Sequence, residues 1–205
     1  MSNSENLIEK PITIKDFEHG EDCPCCSRRR TFLKNAFALT AGILLPHEWA
    51  KAAMSRERQI QMFNPHTGEN LRTVYWSPTD GYIKDSIRQI SYFFRDFRQE
   101  SVKTVDYDLL SILHYIQSNV GERRTIQLNS GYRSPATNSM LARRSKNVGK
   151  KSYHMKAMAA DISIKGFNSR ELKNIAMRLN AGGVGIYRGS NFIHVDSGPI
   201  RQWYY

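Results

Sequence analysis

Two short alternating segments near the end of this chain limit the folds open to it. In Ala159-Ala-Asp-Ile-Ser-Ile164, side chains of a strand alternate, so Ala160, Ile162 and Ile164 share one face. Asp161 and Ser163 share the other. In Asn191-Phe-Ile-His-Val-Asp196, Ile193 and Val195 share a face opposite Phe192, His194 and Asp196. Each segment therefore has one apolar and one polar side. A sheet that points the two polar sides at one cleft brings Asp161 and His194 together. His154 would then enter from the loop before the first of these strands.

The rest of the region supplies partners for such a sheet. Segments 59–63 and 71–76 flank the turn-rich Asn64-Pro-His-Thr-Gly-Glu-Asn70 and predict a hairpin, followed by a turn at 77–81. Ile83, Ile87, Ile90, Phe94 and Phe97 recur at helical spacing, and Leu109, Leu110, Leu113 and Ile116 do so within 106–118. Alternation over 124–129 predicts a strand. Ser134-Pro135 is a helix start, with Ser as cap and Pro in the first turn, running to about Arg144. Asn168 and Glu171 have the spacing of a capping box for a helix carrying Leu172, Ile175, Ala176 and Leu179. Strands at 184–187 and 191–195 follow, joined by a turn at 188–190. The expected architecture is a single α+β domain, an antiparallel sheet with helices mainly on one face.

The first 52 residues do not read as part of that domain. Residues 1–26 are polar and contain all three cysteines, Cys23, Cys25 and Cys26. Then come Ser27-Arg-Arg-Arg-Thr-Phe-Leu-Lys34, an apolar run over 36–45, and the small-residue pattern Ala50-Lys-Ala52. Basic region, apolar core and cleavage pattern are the parts of a signal peptide. The apolar run is far short of the roughly twenty residues that span a bilayer as a permanent helix. The arginines with Phe32-Leu33-Lys34 resemble the twin-arginine export signal, with Arg29 and Arg30 as the pair. Arg28 stands where that pattern usually has Ser or Thr. The reading is a twin-arginine signal peptide with a polar extension over 1–52, with Ala52 as the expected cleavage boundary and retention as an uncleaved anchor as the alternative. A mature domain over 53–205 would then be exported to the periplasm by the twin-arginine translocase, with no permanent membrane span.

Seven basic and seven acidic residues fall in 1–52, so the net charge of +11 stays with the remainder. A strongly basic surface favours polyanions. Export removes most nucleic acid from consideration, and 53–205 has no basic aromatic strand motif of the RNA-recognition type. Peptidoglycan, whose stem peptides carry free carboxylates, fits both the charge and the compartment.

His154, Asp161 and His194 form the set on which chemistry rests. Two imidazoles and a carboxylate suit a borderline-soft ion such as zinc. Three protein ligands leave a fourth position for water, which marks a catalytic rather than a closed structural site. Spacing alone leaves open a surface His154 and a satisfied core His194.

The flanking residues carry more. Ser152-Tyr-His-Met-Lys-Ala-Met-Ala-Ala-Asp161 with the distal His194-Val-Asp196 resembles the zinc peptidases related to D-alanyl-D-alanine carboxypeptidases and the hedgehog signalling domain. Ser130-Gly-Tyr-Arg-Ser134 and Gly183-Val-Gly-Ile-Tyr187 resemble further segments of that superfamily. The likeness is greatest to its exported murein endopeptidases and covers roughly residues 59–200. It implies an open zinc cleft, with His154, Asp161 and His194 as ligands. It implies Arg133 on a substrate carboxylate or the polarised carbonyl oxygen, with Ser152 and Tyr153 lining the approach and Asn138 orienting the loop. The implied function is zinc-dependent hydrolysis of peptide cross-links in peptidoglycan. The pattern departs from the carboxypeptidases at the general base, because Asn191 stands where they carry Glu. Asp196 is then either the proton acceptor or the group that orients His194, and the second role is favoured. The missing base also keeps open a non-catalytic, zinc-containing wall-binding domain.

Overall fold

In the hairpin of β1 (Arg58–Phe63) and β2 (Asn70–Ser77), Met62 lies opposite Leu71 and Phe63 opposite Asn70. The turn closes on Asn64, whose side-chain oxygen accepts the His66 amide at 2.9 Å. Such Asx contacts are why Asn and Asp populate turns. The computed structural model describes residues 56–145, 148–187 and 189–204. The expected signal segment over 1–52, its three cysteines, and the Arg188 end of the predicted 188–190 turn lie outside the described residues.

The expected 77–81 turn holds, and the chain then adds a short β3 (Gly81–Tyr82) against β2. Helix α1 (Lys84–Phe93) buries Ile87, Ile90 and Phe93. It stops short of the expected Phe97. Phe94 caps it, and Asp96 pairs with Ser101 while its carboxylate accepts the Arg98 amide at 3.1 Å. Local bonds to an Asp compete with helix continuation. Phe97 instead stacks on His66, with ring centroids 4.8 Å apart.

Helix α2 (Tyr107–Val120) begins at Asp106, whose carboxylate accepts the amides of Asp108 and Leu109. Strand β4 (Ile126–Ser130) leads to helix α3 (Pro135–Arg144), capped by Ser134 as its sequence predicts. A single 3₁₀ turn (Tyr153–Lys156) precedes β5 (Ala159–Ile164). Helix α4 (Ser169–Leu179) opens on the predicted capping box, with both reciprocal bonds of Asn168 and Glu171 present. Strands β6 (Gly183–Ile186), β7 (Ile193–Asp196) and β8 (Arg201–Tyr204) complete the described chain.

The eight strands form one sheet in the order β3-β2-β1-β4-β5-β7-β6-β8. The class is α+β, as expected, but the sheet is mixed. Strands β1 and β4 run parallel, because the chain crosses over through α1 and α2 between them. Strands β6 and β8 are parallel because β7 intervenes and β8 returns to the outer edge. The remaining pairs are antiparallel.

One face of this sheet is apolar and covered by helices. Ile60, Met62, Leu128, Ile162, Ile193 and Val195 join Ile90, Leu109, Leu113, Ile116 and Leu172 in the core. Burying each such side chain contributes about 1.5–3 kcal/mol. The opposite face is left for Asp161, His194 and Asp196. The core holds the sheet rigid and thereby fixes the positions of those three.

Asp96 ties α1 to the start of α3. It is buried, and its carboxylate accepts the Ser134 amide at 2.9 Å. Burial works to raise the pKa of this carboxyl, but donors of the 134–137 turn and the Arg98 amide outweigh it and hold it low. A depressed carboxylate stabilises the fold above its ordinary pKa and loses that contribution as pH falls through the folded value. Asp96→Asn should therefore cost about 1–3 kcal/mol at neutral pH. The gap to the wild type should close in acid, and urea melts in neutral and acidic buffer measure it.

Candidate metal centre and cleft

The register of β5 on β7 places Asp161 directly opposite His194. Their side chains meet on the polar face, as the alternation requires. His154 arrives from the 3₁₀ turn, where Ser152 Oγ accepts the His154 amide at 3.3 Å and Ala157 ends the turn in a left-handed conformation. The Arg133 amide donates to the His154 carbonyl at 3.2 Å, which joins this turn to the 130–134 loop.

The three residues converge through defined atoms. His154 Nε2 lies 3.2 Å from His194 Nδ1. Asp161 Oδ1 lies 2.9 Å from His194 Nδ1 and 3.3 Å from His154 Nε2. All three side chains are nearly or fully buried. Their outer nitrogens fix the tautomers. His154 Nδ1 faces the Gly131 carbonyl at 2.7 Å and must donate to it, since a carbonyl has no proton to give. His194 Nε2 faces Asp196 Oδ2 at 2.9 Å and donates to that carboxylate. In neutral rings the inner nitrogens then carry lone pairs.

Two lone pairs and a carboxylate oxygen at such distances repel unless a cation sits among them. Ligands at about 2.1 Å from a tetrahedral zinc lie about 3.4 Å apart, close to the spacings found. The residues present therefore fit a metal ion. Protonation follows the same logic in the metal-free chain. Burial works to raise the Asp161 pKa, but His154 and then His194 outweigh it and hold it well below the usual carboxylate range. Burial opposes charge on His194, but its bonds to Asp161 and Asp196 push its pKa up. Burial dominates at His154 and lowers its pKa. A metal binding here displaces a proton, so acid weakens loading.

Asp196 lies behind the imidazole, away from the convergence point. It is fully buried, and both oxygens are engaged. Oδ1 accepts from the amides of Gly183 and Gly198 and from Arg201, while Oδ2 accepts from His194 and Arg201. Burial works to raise its pKa, but His194 and Arg201 bring it down to about 2. These contacts fit a group that orients His194, with both oxygens already engaged. Asp196→Asn should lower metal affinity and turnover together, each by about ten- to a hundredfold. Bound zinc and cleavage measured on one preparation check it. Retained zinc with collapsed turnover would return the acceptor role to Asp196.

Arg133 sits beside the ligands with a contact that its motif does not reveal. Its Nε donates to Ser130 Oγ at 2.8 Å and its Nη2 to Asp161 Oδ2 at 2.6 Å. The guanidinium thus touches the Asp161 carboxylate, a candidate ligand, and also lines the cleft. Gly131 makes the loop possible. A Cβ there would lie 2.6 Å from the Phe94 carbonyl oxygen, so only glycine allows the approach that aims the Gly131 carbonyl at His154. Asn138 is buried, and its Nδ2 donates to the Gly149 carbonyl at 3.1 Å. That bond ties α3 to the loop before Ser152.

Above the ligands lies a cleft of about 460 Å³. His154 and His194 form its floor, and Ser152 and Tyr153 line it as the sequence implied. Its charged walls are Arg133, Lys151 and Arg201, and no Asp or Glu joins them among the described residues that line it. Such a surface attracts anionic groups. The far wall comes from β8, which the alternation analysis did not reach. Trp203 lies over β6, where a Cβ on Gly185 would come within 2.2 Å of its ring. Its centroid is 5.1 Å from that of His194. The alternation of Arg201 and Trp203 was the available signal for this strand.

A His-Asp-His set that could hold a metal ion, opening into a cationic cleft, is the kind of site a metallopeptidase carries. The chain belongs to the family whose model is described as peptidoglycan L,D-endopeptidase MepK, which matches residues 52–203. It is 39% identical over 177 residues to the peptidoglycan L,D-endopeptidase MepK of Escherichia coli strain K12, covering 86% of this chain and 97% of that protein. A probable peptidoglycan L,D-endopeptidase MepK of Haemophilus influenzae is 36% identical over 178 residues, covering 86% and 95%. The expected membership among the murein endopeptidases holds, and the protein is a peptidoglycan peptidase. Among the described residues, no helix is long and apolar enough to cross a membrane.

Proposed function

We propose that this chain is a zinc-dependent endopeptidase of the periplasm that cuts L,D peptide bonds between cross-linked stem peptides. The observation that carries the reading is the convergence of His154 Nε2, Asp161 Oδ1 and His194 Nδ1 under a cleft walled by cations. The names of the relatives supply the stereochemistry. Three bonds suit an enzyme of this kind: D-alanyl-diaminopimelyl, diaminopimelyl-diaminopimelyl and terminal D-alanine. Among them, the diaminopimelyl-diaminopimelyl cross-link is the internal bond from an L-centre carbonyl to a D-centre amine.

The metal, when bound, supplies a Lewis acid that polarises the scissile carbonyl and lowers the pKa of a coordinated water. The protein does the rest by positioning. His154, Asp161 and His194 hold the ion, the Gly131 carbonyl and Asp196 keep the two imidazoles in the metal-binding tautomer, and Arg133 braces Asp161 while presenting its guanidinium to the cleft. Lys151 and Arg201 favour a substrate that carries free carboxylates, as stem peptides do.

The test is digestion of purified muropeptides with and without chelator. Diaminopimelyl-diaminopimelyl dimers should be cut, the activity should vanish with chelator and return with zinc, and D-alanyl-diaminopimelyl dimers should survive. Cleavage of the latter alone would overturn the L,D assignment. Stoichiometric zinc with no cleavage of any dimer would identify a wall-binding domain instead.

Export by the twin-arginine route is part of the same proposal, supported by Arg29-Arg30-Thr-Phe-Leu-Lys34 and the short apolar run. Replacing both arginines with Lys should trap precursor in the cytoplasm, because that translocase reads the pair. Unchanged periplasmic recovery argues for another route, and N-terminal sequencing of exported protein checks the boundary after Ala52.

A further inference from the structure

We infer that Arg201 is a positioning residue for the metal centre, acting through Asp196 on His194. The inference rests on the metal-site reading above and names a part of the site outside the ligand motif.

Asp196 is fully buried, and a buried carboxylate without a counter-charge is strongly unfavourable. Its neighbour His194 must be neutral to offer Nδ1 to a metal, so it cannot supply that charge. Arg201 does. Its Nη1 donates to Asp196 Oδ1 at 2.9 Å and its Nη2 to Oδ2 at 2.6 Å. Two parallel bonds from a planar fork fix the carboxylate plane as well as its charge. The carboxylate direction then decides where Oδ2 meets His194 Nε2, and so where Nδ1 points.

Arg201 is itself held in place. Its guanidinium lies 5.0 Å from the ring centroid of Tyr153 and 4.9 Å from that of Trp203. Tyr153 adjoins the ligand His154, so one guanidinium connects the strand of one imidazole to the turn of the other. Strand β6 leaves room for it. A Cβ on Gly183 would come within 2.5 Å of both Arg201 Nη1 and Asp196 Oδ2. The Gly183-Val-Gly185 pattern therefore clears space for both β8 side chains that wall the site.

The chemistry predicts a graded response. Arg201→Gln removes the counter-charge and the fork, whereas Arg201→Lys keeps the charge and one of two bonds. Zinc affinity is measured on metal-free protein by competition with a chromogenic chelator, alongside kcat and KM at saturating zinc and a thermal melt. Arg201→Gln should bind zinc about ten- to a hundredfold more weakly than wild type. Arg201→Lys should fall between them, and KM at saturating zinc reports separately on the cationic wall that Arg201 also forms. Circular dichroism matching wild type confirms that the variants are folded, and the Lys variant keeps the test alive if the Gln variant is not. A raised KM with unchanged zinc affinity would overturn the inference and make Arg201 a substrate contact. A lowered melting temperature with unchanged zinc affinity would overturn it in favour of a purely structural ion pair. If wild type itself binds no zinc, the metal reading fails and takes this inference with it. Variants that bind as tightly as a zinc-binding wild type sink the inference alone.

Discussion

Asp161→Ala should strip the proposed metal from this protein and abolish cross-link cleavage. The carboxylate is the only anionic member of the three converging residues, and it lies within 3.3 Å of both inner imidazole nitrogens. Without it, two neutral imidazoles remain, too few to hold a catalytic ion against solvent. The loss of zinc affinity should exceed the about ten- to hundredfold expected for a group that only orients a ligand. Arg133 adds to the damage, because its guanidinium loses its partner at 2.6 Å and is left as an uncompensated charge beside the imidazoles. Elemental analysis after gentle purification, set against cleavage by the same sample, measures both effects. A variant with full zinc occupancy would remove Asp161 from the ligand set.

Arg133→Lys should lower turnover by roughly a hundredfold, corresponding to about 3 kcal/mol at the transition state. The guanidinium spans Ser130 Oγ and Asp161 Oδ2, and an ammonium does not reproduce that planar fork. The structure sharpens what the motif implied. Because Arg133 touches a ligand carboxylate, the variant should also hold zinc more weakly, and excess zinc should restore only part of the rate. The part that zinc does not restore is the contribution made on the substrate. Full rescue by zinc would confine Arg133 to supporting Asp161, and unaltered turnover without added zinc would remove both roles.

The site was legible in the sequence where its signals were local. Alternation in 159–164 and 191–196 set which residues share a face, and the register of β5 on β7 then needed no surprise to bring Asp161 against His194. Caps were equally readable, since Ser134 and Asn168 each bind an amide three residues away. Helix α1 ended early because Asp96 offered the backbone an alternative, through a bridge to Ser101 that periodicity does not encode. The parallel pairings of β1 with β4 and of β6 with β8 also escaped, because a strand's pattern does not name its neighbour.

By itself, then, the sequence determined the α+β class, the polar side of two strands, the residue types of the candidate metal set and the basic character of the chain. These depend on side-chain periodicity and composition, which are properties of neighbours along the backbone. Only the tertiary structure decided what stands behind the three converging residues: the Gly131 carbonyl on His154, Asp196 on His194, and Arg133 on Asp161. It alone brought β8 beside β6, so that Arg201 closes on Asp196 and Trp203 lies over Gly185. Those contacts join residues from separate elements, and their distances and directions are set by how the sheet packs on its helices.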